Sequence, residues 1–224
     1  MSLKPPILGS FRFLLEEAFC CMWLRLVSRG LSIKSAMSRQ LPKVLVFDLD
    51  GCVWNPEMYE LWGGGGAPFK LQSDGNLKDR GGTVVSLIGD VKNIMREFKM
   101  DPKWSEAVIA VASSCDEPSW ARECIKKFPV SDTHKLSDVF HPENIEIYKR
   151  NKAKHLQAIA KQTGHALNEM IFFDNQYGNC QDVAKAGVTV VYTPEGVTRK
   201  AFDEGLAKFP APGEIIGPKR REYW

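Results

Sequence analysis

Two aspartates placed two residues apart, Asp48 and Asp50, directly follow the apolar run Val44–Phe47. Side chains at this spacing on an extended segment point the same way, so the two carboxylates converge on one point. A third aspartate, Asp174, follows the apolar run Met170–Phe173 in the same manner. Three acids in one place repel one another unless a cation joins them, and hard oxygen ligands of this kind suit Mg²⁺. Asp48, Asp50 and Asp174 are therefore the candidate metal ligands.

Two hydroxyl groups and a lysine are candidates for holding an anion beside these acids. Ser113 and Ser114 follow the apolar run Ala107–Ala112 and bring adjacent backbone amides with them. A serine in this position is otherwise a turn residue or a helix N-cap. The cation would be Lys152, with Lys154 as the second choice, at the start of a helical pattern. The other lysines of that pattern are expected to be solvated helix charges.

The apolar runs alternate with segments of helical periodicity. The runs expected as strands are Val44–Phe47, Ala107–Ala112, Met170–Phe173 and Val188–Tyr192. The segments expected as helices are Asp90–Met100, Ser119–Lys127, Asn151–Gly164 and Asn179–Ala186. Continuous apolar runs are typical of strands covered on both faces of a parallel sheet. The alternation predicts a doubly wound α/β domain, whose ligand site lies at the carboxyl ends of the strands.

Charge and composition limit the classes of partner. The chain has 224 residues, 44% of them hydrophobic, and a net charge of +3, which is enough apolar material for a sizeable core. Residues 1–42 hold six basic and two acidic residues, which leaves 24 basic against 25 acidic residues in 43–224. A body without a basic excess is not expected to bind nucleic acid. No apolar run approaches the roughly 18 residues that span a bilayer, so no stable membrane insertion is expected.

The chain divides into three parts by composition. Residues 1–40 form a leader that suits an organelle-targeting helix, although its two glutamates argue against one; a non-functional extension and an amphipathic surface anchor are the alternatives. Residues 41–208 form the folded domain, with a short insert at 55–89, and residues 209–224 are expected to be a mobile tail. The six cysteines lack C-x-x-C spacing, which indicates free thiols and an intracellular, soluble protein, cytoplasmic unless the leader targets an organelle.

The order of the motifs resembles that of the haloacid dehalogenase (HAD) superfamily of aspartate-based phosphohydrolases. Its four motifs correspond to Asp48-Leu49-Asp50, Ser113, Lys152 and Asp174. The flanking segments LPKVLVFDLDGCVW, SSDGNLKDRGG, VASS, EIYKRNKAKHLQAIAKQTG and MIFFDNQYGN are similar to those of the magnesium-dependent phosphatase-1 family. The resemblance covers residues 41–193 and implies a Rossmann-like HAD fold with a short insert in place of a full cap domain.

The resemblance implies a Mg²⁺-dependent phosphomonoester phosphatase. Asp48 would be the nucleophile that forms an aspartyl-phosphate, and Asp50 the general acid and then the general base. Mg²⁺ would be held by the side chains of Asp48 and Asp174 and by the backbone carbonyl of Asp50. Ser113, Ser114 and Lys152 would bind the substrate phosphate. The family's substrates imply a phosphorylated small molecule or a phosphoprotein, namely phosphorylated sugar–amine adducts or protein phosphotyrosine.

Three positions depart from the family pattern. Cys52 stands where relatives have threonine, Asn175 where they have a second aspartate, and Ser114 where they tend to have arginine. The alternative function is therefore a catalytically impaired relative that binds phosphorylated or protein partners without turnover. A D-x-D glycosyltransferase is a third alternative, but it leaves Ser113, Lys152 and Asp174 unexplained.

Four aromatic residues around the glycine run of the insert have a role that the pattern leaves open. Trp54, directly before the insert, and Tyr59, Trp62 and Phe69 within it are either a wall for the leaving group of the substrate or the packing of a small subdomain. The run Gly63–Gly66 beside them lacks the G-K-[ST] ending of a nucleotide-binding P-loop and is expected to be a flexible loop.

Overall fold

The structure, a computed structural model, describes residues 40–219. The predicted leader, except for its last residue, and the last five residues of the predicted tail lie outside the described residues. The strands are β1 (Val44–Phe47), β2 (Trp54–Asn55), β3 (Lys70–Leu71), β4 (Leu77–Lys78), β5 (Val84–Leu87), β6 (Val108–Ser113), β7 (Ile145–Ile147), β8 (Met170–Asp174), β9 (Thr189–Tyr192) and β10 (Ile215–Ile216). The helices are α1 (Val91–Met100), α2 (Pro118–Lys127), α3 (Leu136–Val139), α4 (Lys152–Thr163), α5 (Tyr177–Lys185) and α6 (Arg199–Lys208).

The core of the described chain is a six-stranded parallel sheet in the order β10-β9-β8-β1-β6-β7. Alternate residues of β1 serve opposite faces: Leu45 and Phe47 pack on one side, and Val44 and Val46 on the other. The first side is covered by α1, α2, α3 and α6, and the second by α4 and α5. Burial on both faces is the reason that β1 is apolar at every position. The predicted α/β fold is confirmed.

Helix α4 has well-defined ends, and these fix the position of Lys152. Asn151 is the N-cap, and its side-chain oxygen accepts a hydrogen bond of 2.8 Å from the amide of Ala153. The helix ends at Gly164, which takes the left-handed conformation with φ +75°. The helix begins directly after this cap, so Lys152 is its first residue.

The insert folds as a small antiparallel sheet in the order β2-β5-β4-β3, with a 3₁₀ helix at Met58–Leu61. Two hydrogen bonds connect the insert to α2 at Phe69. The amide of Phe69 donates to Glu123 Oε1 at 2.9 Å, and its carbonyl accepts from Lys127 Nζ at 2.5 Å. The glycine run in the insert is held as well: the Asp79 carboxylate accepts from the amide of Gly66 at 2.7 Å. The flexible loop at Gly63–Gly66 stays a prediction, with Gly66 held by this hydrogen bond.

The prediction of a mobile tail beginning at residue 209 is wrong for the described residues. Phe209 and Ile216 are buried, and β10 pairs in parallel with β9 at the edge of the main sheet. The amide of Ala211 donates to Thr189 Oγ1 at 2.9 Å. The domain therefore continues past residue 208. A two-residue strand in a sequence rich in proline and glycine carries too little periodicity to be recognised locally.

Within residues 40–219, none of the helices combines the length and the apolar character that crossing a bilayer requires.

Candidate active site

The central strand order brings three sequence motifs to one edge of the sheet. Strand β1 lies between β6 and β8, with Phe47 opposite Val111 on one side and Phe173 on the other. The amide of Asp48 donates to the carbonyl of Phe173 at 2.9 Å. The residues that end the three strands therefore meet at the carboxyl edge of the sheet, where α/β proteins bind ligands.

Lys152 joins the two buried carboxylates of the site. Its Nζ lies 2.5 Å from Asp48 Oδ1 and 3.6 Å from Asp174 Oδ2, and it donates to the carbonyl of Ala112 at 2.8 Å. The side chain is 2% exposed. Burial lowers the pKa of Lys152, but Asp48 and Asp174 outweigh this effect and the net shift is upward. Lys154, the second choice from sequence, is exposed, since two residues of helix turn its side chain about 200° away from that of Lys152.

Asp174 lies beneath the site and accepts three hydrogen bonds from two donor groups. Its Oδ1 accepts from the amide of Gln176 at 2.6 Å, and Asn179 Nδ2 donates to Oδ2 at 3.0 Å and to Oδ1 at 3.3 Å. The residue is fully buried. Burial, and then the charge of Asp48, raise the pKa of Asp174 to about 7, because these terms outweigh Lys152 and the donors.

Asp50 is separated from this pair and has its own partner. The turn after β1 places Gly51 at φ +72°, and the amides of Cys52, Val53 and Trp54 all point at the carbonyl of Leu49. The chain thereby folds back, and Trp54 Nε1 donates to Asp50 Oδ1 at 2.8 Å. Burial raises the pKa of Asp50; the hydrogen bond from Trp54 opposes the shift in part, and the charge of Asp48 adds to it.

These residues surround a cleft of about 270 Å³. Of the residues selected from sequence, it is lined by Asp48, Asp50, Ser113, Ser114 and Lys152, while Asp174 lies below its floor. Ser113 Oγ accepts from the amide of Cys115 at 3.3 Å, which leaves its hydroxyl proton free to be donated. Ser114 Oγ donates to the carbonyl of Arg150 at 2.7 Å.

Tyr59, one of the aromatics whose role the sequence left open, also lines the cleft. Six further residues of the cleft were not selected from sequence: Glu57, Cys115, Asp116, Lys149, Gln176 and Asn179. Lys149 forms an ion pair with Asp116 across the cleft mouth. The position of Asn179 in the first turn of α5, five residues after a strand-end aspartate, was a usable signal. The others come from loops whose paths are set only by tertiary contacts.

The departures at Cys52 and Asn175 lie outside the cleft wall. Cys52 is fully buried, and its thiol lies 3.5 Å from the carbonyl of Phe173 and 3.5 Å from Thr193 Oγ1. The Asn175 amide packs against Gly51, and its Oδ1 is a buried atom without a hydrogen-bond partner in the described structure. Trp54 and Phe69 are buried in the core, so of the four insert aromatics only Tyr59 and Trp62 are exposed.

The oxygen ligands at the floor of the cleft are of the kind that a hard cation takes, with main-chain and water oxygens completing the set. Among residues 40–219 no three His, Cys, Asp or Glu side chains converge closely enough to hold a metal by themselves. Asp48 and Asp174 would form the two-carboxylate part of such a site; burial, and then the charge of Asp48, raise the pKa of Asp174, so a nearby cation would favour its ionised form. The residues present therefore fit a divalent cation bound by two carboxylates and a backbone carbonyl.

A comparison with known families identifies the chain. The family model described as Acid Phosphatase matches residues 40–211. The chain belongs to the acid phosphatase family. It is 31% identical over 174 residues to human magnesium-dependent phosphatase 1, covering 76% of this chain and 88% of the relative. It is 29% identical to a HAD-like hydrolase superfamily protein of Schizosaccharomyces pombe, covering 67% of this chain and 84% of the relative.

Solved structures include similar chains at low identity. One is the phosphatase-containing N-terminal part of a Bacteroides fragilis protein complexed with Mg, with a TM-score of 0.47, 22% identity, and coverage of 74% of this chain and 39% of that one. Another is a HAD-superfamily hydrolase from Ehrlichia chaffeensis, with a TM-score of 0.49, 13% identity, and coverage of 75% and 96%. By its family match and its curated relatives, the present chain is a phosphatase of the HAD superfamily.

Proposed function

We propose that this chain is a Mg²⁺-dependent phosphomonoester phosphatase that works through an aspartyl-phosphate on Asp48. The observation that carries the proposal is the cluster at the cleft floor. A nearly buried carboxylate at the end of the central strand lies 2.5 Å from a buried lysine, which also pairs with Asp174 at 3.6 Å. A carboxylate so fixed at the floor of a polar cleft is placed to attack a phosphoryl group that enters from solvent.

In the first half-reaction, an oxygen of Asp48 forms a bond to phosphorus while the bond from phosphorus to the leaving oxygen breaks. Asp50 gives its proton to that leaving oxygen. The upward shift in the pKa of Asp50, caused first by burial, supports this role because it favours the protonated carboxyl that a general acid needs.

In the second half-reaction, water attacks the phosphorus of the aspartyl-phosphate. Asp50, now a carboxylate, takes a proton from that water, and the bond between phosphorus and Asp48 breaks to release phosphate. Trp54 orients the carboxyl group of Asp50 in both steps through its 2.8 Å hydrogen bond.

Ser113 and Lys152 hold the phosphoryl oxygens, and Ser114 shapes the same wall. The Ser113 hydroxyl and the Lys152 ammonium both line the cleft. Asp48, Asp174 and the backbone carbonyl of Asp50 would bind Mg²⁺, and the name of the human relative, magnesium-dependent phosphatase 1, supports this choice of ion. Bound there, the ion would offset the charge of the phosphate that otherwise repels the attacking carboxylate.

For the substrate we propose a phosphorylated small molecule or a phosphoprotein, namely a phosphorylated sugar–amine adduct or protein phosphotyrosine. The half-open cleft, with Tyr59 exposed at its wall, supports a substrate whose leaving group extends into solvent. A panel of such phosphomonoesters, including a phosphotyrosine peptide, would rank the two classes by kcat/KM.

The test of the reaction is phosphate release from an aryl phosphate. We expect turnover with Mg²⁺, loss of turnover in EDTA, and a decrease of at least about 10³-fold in Asp48→Asn. In Asp50→Asn the aspartyl-phosphate should accumulate and be visible by intact-protein mass spectrometry, whereas the double variant with Asp48→Asn should show no adduct. Turnover that persists in Asp48→Asn would overturn the mechanism. No turnover of any substrate by the wild type would favour the binding protein without catalysis.

A further inference from the structure

One carboxylate of the cleft, Glu57, has no part in the proposed reaction. It precedes the 3₁₀ helix Met58–Leu61 in the insert and lines the cleft together with Asp48 and Asp50. Its Oε1 lies 3.4 Å from the point that a Cβ atom on Gly51 would occupy. Because Gly51 directly follows Asp50, Glu57 lies close to the proposed general acid and lines the same cleft.

The charge of Glu57 is not offset by a basic partner within residues 40–219. The two lysines of the cleft are paired with other acids: Lys152 with Asp48 and Lys149 with Asp116. None of the ion pairs in this part of the chain includes Glu57. The carboxylate is partly exposed, so it faces the solvent-filled cleft with its negative charge available to a ligand.

Asn175 is the neutral neighbour that accommodates this charge. Its Nδ2 lies 2.2 Å from the same Cβ position on Gly51 that Glu57 approaches to 3.4 Å. An aspartate at position 175 would place a third carboxylate beside Glu57 and Asp50. The amide at 175 is therefore compatible with the carboxylate at 57, and Glu57 adds a negative charge to the same cleft that Asp50 lines.

We infer that Glu57 is a specificity-determining residue, which selects phosphomonoesters whose leaving group is neutral or cationic and disfavours those whose leaving group carries a carboxylate. The inference rests on the proposed phosphatase function. The physical reason is that an anionic leaving group would approach an uncompensated carboxylate in a cleft of reduced dielectric, whereas a cationic group would be attracted to it. The exposed ring of Tyr59, two residues on, forms the adjoining wall.

The test uses three phosphomonoesters that share a two-carbon leaving group and differ in its charge: phosphoethanolamine, 2-hydroxyethyl phosphate and phosphoglycolate. For the wild type we expect kcat/KM to decrease in that order. In Glu57→Gln, the ratio of kcat/KM for phosphoethanolamine to that for phosphoglycolate should fall by about 10-fold, since one unit charge is removed at close range. Glu57→Lys should reverse the order.

The matched control is Glu106→Gln, which makes the same change in net charge at an exposed residue just before β6, at the opposite edge of the sheet. It should leave the ratio unchanged. If both variants at 57 keep the wild-type ratio while p-nitrophenyl phosphate and the three esters are hydrolysed, the inference is wrong and the phosphatase function stands. If the wild type hydrolyses none of these four compounds, the proposed function fails and the inference with it.

Discussion

Replacing Lys152 by methionine removes the ammonium group that, within residues 40–219, contacts both buried carboxylates of the site. Its Nζ lies 2.5 Å from Asp48 Oδ1, 3.6 Å from Asp174 Oδ2 and 2.8 Å from the carbonyl of Ala112. Methionine fills a similar volume without the charge. The variant therefore leaves two negative charges facing each other where water cannot solvate them, together with a buried carbonyl that has lost its donor.

The cost follows from burial on both sides of the ion pair. Asp48 and Lys152 have side chains only 6% and 2% exposed, so solvent screening is slight. Removing one partner of a buried ion pair typically costs about 3 to 5 kcal/mol. For a domain of this size each kcal/mol lowers the melting temperature by roughly 2 to 4 °C, so we expect a decrease of roughly 10 °C near neutral pH.

The assay is thermal unfolding in EDTA at pH 7.5 and pH 5, with Lys154→Met as the matched control. Lys154 is exposed in the same first turn of α4, so the control makes the same chemical change without a buried partner. The loss in Lys152→Met should be smaller at pH 5, because Asp174, whose pKa is raised to about 7, takes up a proton there and relieves the repulsion. Lys154→Met should change the melting temperature by less than about 2 °C at either pH.

Two results would refute this reasoning. One is a melting temperature of Lys152→Met within about 2 °C of the wild type at pH 7.5. It would show that other groups compensate the charges of Asp48 and Asp174 when the ammonium is lost. The other is a larger decrease in melting temperature for Lys154→Met than for Lys152→Met. It would show that Lys154, and not Lys152, is the cation of the site.

Three further predictions concern the metal, the residue that holds Asp174, and the chain after α6. Since burial and Asp48 raise the pKa of Asp174 to about 7, the stability in EDTA should fall as pH rises from about 4 to 7. For the same reason, the increase in melting temperature caused by Mg²⁺ should be larger at pH 8 than at pH 5, and equal increases would contradict this prediction. Asn179→Ala removes the two hydrogen bonds to Asp174, so Mg²⁺ affinity measured by calorimetry should weaken by about 10- to 100-fold, while an unchanged affinity would exclude the orienting role. Truncation after Lys208 removes β10 and the buried Phe209, so the melting temperature should fall by roughly 10 °C, whereas a mobile tail predicts no change.

The ordered motifs and the α/β class could be predicted from local pattern. Strand β1 is apolar at every position because it is covered on both faces, and this property is visible in four consecutive residues. The polar residues that follow the strands were found for the same reason, since parallel strands release their carboxyl ends at one edge. Short elements such as β7 and β10 were missed because three or two residues carry no recognisable period.

The local sequence does not decide whether Lys152 or Lys154 faces the site. Two residues of spacing turn a helical side chain by about 200°, so only one of the two lysines faces the sheet. The cap at Asn151 fixes which one, because it sets where the helix begins relative to β6 and β8. A sequence pattern places both lysines in the first turn and cannot supply that orientation.

The sequence by itself determined which chemical groups the site contains and the order in which the chain delivers them. Only the tertiary structure decided their partners. Lys152 lies between Asp48 and Asp174, Trp54 returns through a turn to Asp50, and Glu57 enters the cleft from the insert. Such contacts depend on strand order, on turns and on packing between distant segments. They set the burial and charge that each group experiences, and these in turn set its reactivity.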